Sequence, residues 1–166
     1  MKLSSNLSAV VQEMQALKGH LDSEVRLASR EVASQAKELA QTGTNVGVYL
    51  TPPGHYLRSG DLLARIDAQP ELIGPGRYAV TVLNDSEHAS QVEYGSQYGD
   101  QREVLSPESA AQLAERLGDS FTPLYLGRSG SNYTAPNPAI TRAAVWAGYA
   151  LDEQFGLALL KVSLKP

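Results

Sequence analysis

One apolar stripe runs almost unbroken through residues 5–41. Met14, Leu17, Leu21, Val25, Ala28, Val32, Ala36 and Leu39 recur at steps of three and four. That is the period of one face of an α-helix. Glu13, Lys18, Asp22, Arg30, Glu31 and Lys37 fall on the other faces. The pattern predicts one long helix over 5–41, or two helices meeting near Gly19. Ser4, Ser5 and Asn6 offer capping oxygens at its start, and Gly43 reads as its stop. A helix of this length overhangs a domain of 166 residues. The stripe is therefore expected first of all to pack on a core, with a coiled-coil seam as the lesser alternative and room for both along one helix. With only 2 Phe and 1 Trp, the core must be built mainly from Ala, Leu and Val.

Residues 43–60, "GTNVGVYLTPPGHYLRSG", read as a loop, because Pro52, Pro53 and Gly54 cannot continue a helix. "LLARIDAQPEL" reads as a strand, "GPGR" as a turn and "YAVTVLN" as a second strand rich in β-branched residues. Together they predict an antiparallel hairpin. "DSEHASQVEYGS" predicts a short helical turn, capped by Asp85 or Ser86 and ended by Gly95. Ala89, Val92 and Tyr94 are expected to face inward, with Glu93 exposed on the opposite side of a rigid corner. Gly95 supplies a turn that a Cβ would obstruct. "QYGDQREVL" reads as a polar loop. "SPESAAQLAERLG" is a helix signal, with Ser106 as cap and Pro107 at the first position. "PAITRAAVWAGYALDEQFGLALLKV" is the last helix, and "ALLKVSLKP" fits either strand or tail. The order argues for an α+β fold: a single domain over 1–166 in which N- and C-terminal helices pack on a small antiparallel sheet. A loop-rich insert spans 97–134.

The chemistry expected of this chain is sparse. It contains no cysteine, which excludes disulfides, thiolate catalysis and Cys-ligated zinc. With 14 basic and 18 acidic residues, a net charge of −4 and no Lys/Arg run, it is not built to grip DNA. The N-terminus has no apolar signal-peptide core, and no apolar run approaches the roughly 20 residues that span a bilayer. His20, His55 and His88 stand apart from one another, and His88 and Glu93 do not share a helical face. No metal site, cofactor or catalytic residue is expected. "GRSGSN" and "LRSGDL" do not match a nucleophile elbow, and "GTNVG" lacks the lysine of a phosphate loop. The best enzymatic alternative is a small hydrolase using His55 and Asp61.

Three stretches in order, "YLRSGDLLARI" (56–66), "YAVTVLNDSEHASQVEYGS" (78–96) and "APNPAITRAAVWA" (135–147), carry a resemblance. Leu57, Arg58 and Ser59 match a first signal, and His88, Ala89, Val92, Glu93, Tyr94 and Gly95 a second. Pro136, Pro138 and Ala143 match a third. The combination resembles the tail-completion or neck (head–tail joining) proteins of tailed phages. The chain departs from that pattern in having His88-Ala89 where the family usually carries Tyr-Ala, and in a longer insert. The resemblance implies a non-enzymatic virion protein forming a ring of about six copies, whose identical subunits meet head to tail. Its implied partners are the head connector on one side and the tail terminator or tail tube on the other. DNA would pass through the channel without sequence-specific binding. Arg58 and Glu93 become candidate polar contacts, within the corner or across subunits, while Tyr94 and Trp146 become core or interface anchors. A tail terminator, or another phage tail adaptor, is the alternative structural reading.

Overall fold

The computed structural model describes residues 4–50, 59–95, 97–98, 101–102, 104–124 and 136–163. Helix α1 is one continuous element, Ser4–Thr44. Gly19 does not divide it. A Cβ at Gly19 would meet nothing within 4 Å, so only the intrinsic weakness of glycine acts there. Gly19→Ala should stabilise this stretch by about 1 kcal/mol, seen as roughly fivefold slower amide hydrogen exchange over residues 7–20.

The helix also runs past Gly43, the expected stop, and continues as a π-helical segment, Asn45–Tyr49. Gly43 is there for closeness. A Cβ would come within 3.0 Å of the Ala139 Cβ and 3.4 Å of the Pro123 Cβ. Gly47 is tighter still, because a Cβ there would fall inside the Asn137 carboxamide.

The expected first strand begins as a helical turn, α2 (Asp61–Ala64), before strand β1 (Ile66–Gly74). Strand β2 (Arg77–Asn84) pairs antiparallel with it, with Ala68 opposite Val82 and Pro70 opposite Val80. Pro70 is tolerated because both strands of a two-stranded ribbon are edges. Gly76, at φ +67°, makes the turn. Helix α3 (Ala89–Tyr94) follows, and then two short strands, β3 (Gln97–Tyr98) and β4 (Gln101–Arg102). These strands lie where a plain loop was expected. Helix α4 (Pro107–Glu115) forms as its cap predicts, with Ser109 N–H donating to Ser106 Oγ at 3.1 Å. Helix α5 (Ala139–Ser163) carries the chain on as helix through "ALLKVS".

The α+β architecture stands. Asn137 lies beside Gly43, and Lys161 beside Glu24, so α5 runs antiparallel to α1. Between them Val32, Ala36, Leu39 and Ala40 meet Ala143, Trp146 and Ala147, with Ile66 from the hairpin. Ala36, Ala40 and Ala143 are completely buried, and small side chains let the two helices approach closely. Ala68, Val80 and Val82 lay the hairpin on this seam. Tyr78 Oη donates to the Asp22 carbonyl at 3.3 Å, and Lys37 pairs with Asp67 at 3.1 Å. Residues 7–20 of α1 extend beyond this body, and all of them are exposed.

Candidate functional site

Of the interface candidates singled out by sequence, those that the structure describes converge on one place, where the start of α5 meets α3, the end of α1 and the segment after α4. Helix α5 has four N–H groups at its start that lack partners within the helix. Glu93 answers two of them from the facing α3. Its Oε2 accepts from Ile140 N–H at 3.0 Å and its Oε1 from Thr141 N–H at 2.6 Å. A carboxylate at a helix N-terminus also meets the positive end of the helix dipole. Glu93 is 6% exposed, which corrects the expectation of a solvent-facing carboxylate. Val92 and Tyr94, expected inward, are only half-buried. The corner is turned round relative to the reading from apolar residues alone. Burial pushes the Glu93 pKa up, while the Thr141 hydroxyl and the N–H groups of Thr141, Ile140 and Ala139 pull against that rise.

Asn137, between Pro136 and Pro138, ties the corner to α1. Its backbone N–H donates to the Val92 carbonyl at 2.7 Å, and its Nδ2 donates to the Gly43 carbonyl at 3.2 Å. Pro138 is fully buried and its carbonyl accepts from Arg142 N–H at 3.0 Å. Gly95 ends α3 at φ +82° and ψ 174°, a region open essentially to glycine. Gly95→Ala should cost about 1–2 kcal/mol, measured by urea unfolding.

Arg142, one turn into α5, is completely buried. Among the described residues its guanidinium meets no carboxylate. It donates to the carbonyls of Thr122 (3.0 Å), Ala114 (3.3 Å), Gly118 (3.0 Å) and Ser120. The chain leaving α4 is thereby wrapped round a single side chain. A cation beneath the C-terminal carbonyls of α4 also complements that helix dipole. Burial lowers the Arg142 pKa, opposed by the nearby Glu115, Tyr149 and Asp119. Trp146 extends the same contact. Its Nε1 donates to the Asp119 carbonyl at 3.1 Å, and its ring meets Phe121 edge-on at 5.0 Å between centroids. Trp146 is thus a core anchor of this chain.

The structure brings together Glu93, Tyr94, Gly95, Pro136, Pro138 and Trp146, and adds Asn137 and Arg142, which the sequence reading did not name. Arg142 sits four residues before Trp146, on the same helical face, and that spacing was its one available signal. Arg58 and His55 lie outside the described residues. Asp61, the other half of the hydrolase alternative, is exposed on α2. Among the buried side-chain polar atoms described at the corner, Asn137 Oδ1 is the one without a hydrogen-bond partner. Among the described residues no group of three His, Asp or Glu could hold a metal ion, and no helix is long and apolar enough to cross a membrane.

No protein-family model matches the chain, and no curated protein or solved structure matches it significantly. The geometry of the corner is therefore what bears on function. A carboxylate spent on two backbone N–H groups, and a guanidinium spent on four carbonyls, fix the positions of helices. Neither presents a reactive atom to solvent.

Proposed function

We propose that this protein is a structural, non-enzymatic component of a tailed-phage virion, a ring-forming neck protein that joins the head connector to the tail. One observation carries the reading. Two of the stretches behind the resemblance, 78–96 and 135–147, are joined through Glu93 and Asn137 into a single rigid corner. A joining protein needs such a corner, because loops that contact neighbours must be held at fixed angles. Head-to-tail contacts between identical copies close a ring by rotation. With −4 per copy, the ring would repel the phosphates of passing DNA, which suits a conduit. The partners on this reading are other copies of the chain, the connector and the tail terminator or tail tube, in the virion neck.

The test is genetic and visual. Phage lacking this protein should accumulate DNA-filled heads and separate, complete tails under the electron microscope. Supplying the intact protein should restore joined particles. Normal virions in its absence would overturn the proposal.

A further inference from the structure

The overhanging half of α1 is apolar where it has no reason to be, if the chain stays alone. Leu7, Val10, Val11, Met14 and Leu17 are between 45% and 68% exposed. They prolong the face of α1 that is buried at Val25 and Val32, where Val32 packs with α5. A second exposed apolar patch lies on the last turns of α5, at Leu157 and Leu160. The Lys161–Glu24 contact places those turns level with Glu24 of α1.

We propose that two copies of the chain pair through this half of α1, antiparallel, about a two-fold axis near residues 15 and 16. The seam is self-complementary in that sense. Met14 of each copy faces Leu17 of the other, and Val10 faces Leu21. In the same register Leu7 falls level with Glu24 of the second copy, beside the last turn of α5. Glu13 lies beside His20 of the second copy, and Val11 beside the aliphatic stem of its Lys18. A parallel pair would match Glu13 with Lys18, but it would drive the second α1 into α5, because the stripe and α5 lie on the same side of α1. Antiparallel pairing carries the two bodies away from each other. This pairing is independent of the ring reading and concerns the protein on its own in solution.

Sedimentation velocity on the full chain tests it. The wild type should sediment as a dimer, and Met14→Glu/Leu17→Glu as a monomer with unchanged circular dichroism, since both side chains are exposed in the protomer. A monomeric wild type, or a dimer that survives the double substitution, overturns the proposal. The absence of native cysteines makes the direction testable. Val10→Cys/Leu21→Cys should give a disulfide-linked dimer on oxidation. Val10→Cys alone should not, because its two copies would lie about 16 Å apart along the seam. Efficient cross-linking of Val10→Cys alone would overturn the antiparallel arrangement.

Discussion

Arg142→Met should lower the unfolding midpoint of the protein by about 6–20 °C, corresponding to about 3–5 kcal/mol. Methionine fills much of the space but donates nothing. Four carbonyls, at Ala114, Gly118, Ser120 and Thr122, would lose the guanidinium together, with Ala114 keeping the Leu117 N–H and Ser120 the Thr122 N–H. Each buried group left without a partner costs about 1–3 kcal/mol, part of which the segment recovers by opening to water. The loss should therefore appear with a local signature, in which amides of 116–122 exchange faster than those of the α1–α5 seam. Arg142→Lys should recover only part of the stability. It keeps the charge but offers three donors from one point, where the carbonyls are arranged round a planar fork. Scanning calorimetry of the three proteins checks this. Equal stability of Arg142→Met and wild type would show that the carbonyls are satisfied without the guanidinium.

Glu93→Ala is expected to cost about 2–5 kcal/mol, because it strips acceptors from Ile140 and Thr141 N–H at the start of a long helix. Glu93→Gln keeps the size but sets an amide N–H₂ against a backbone donor, so it should fall between Ala and wild type. The pH dependence separates these variants. Burial raises the Glu93 pKa above its ordinary 4.5. A carboxyl raised on folding contributes stability that is complete below its unfolded pKa and is lost as pH rises through the folded value. Glu93→Gln has no such dependence. Its deficit relative to wild type should be largest below pH 4.5 and should narrow toward neutrality, in parallel urea titrations. A deficit that grows with pH would mean that the helix dipole and N–H bonds outweigh burial.

Elements specified by local chemistry were legible in the sequence. The Ser106-Pro107 cap defines α4, and the β-branched run 78–83 defines β2. The long stripe defines α1, though a glycine with open space around it carries no information about whether the helix continues. The corner was only half legible. Its residues were found, but Glu93 was assigned to solvent because its flanking Val92 and Tyr94 looked like the buried face. What reverses that assignment is a pair of backbone N–H groups 47 and 48 residues away, and backbone donors leave no signature in side-chain pattern. The same holds for Arg142, whose partners are all carbonyls. Gly43 and Gly47 look like breakers in sequence. They instead stand where Ala139 and Asn137 approach, Gly43 near the end of α1 and Gly47 in its π-helical continuation.

The antiparallel seam has a kinetic consequence. Its two ends are tied by contacts between residues 94 and 137 positions apart, Asn137 with Gly43 and Lys161 with Glu24. Nothing local brings those partners together, so the loop entropy of most of the chain must be overcome before the alanines meet. Refolding should accordingly be slow for a mostly helical protein, closer to the milliseconds-to-seconds of β-rich domains than to the microseconds of simple bundles. Until that encounter, the nascent chain carries its whole α1 stripe bare.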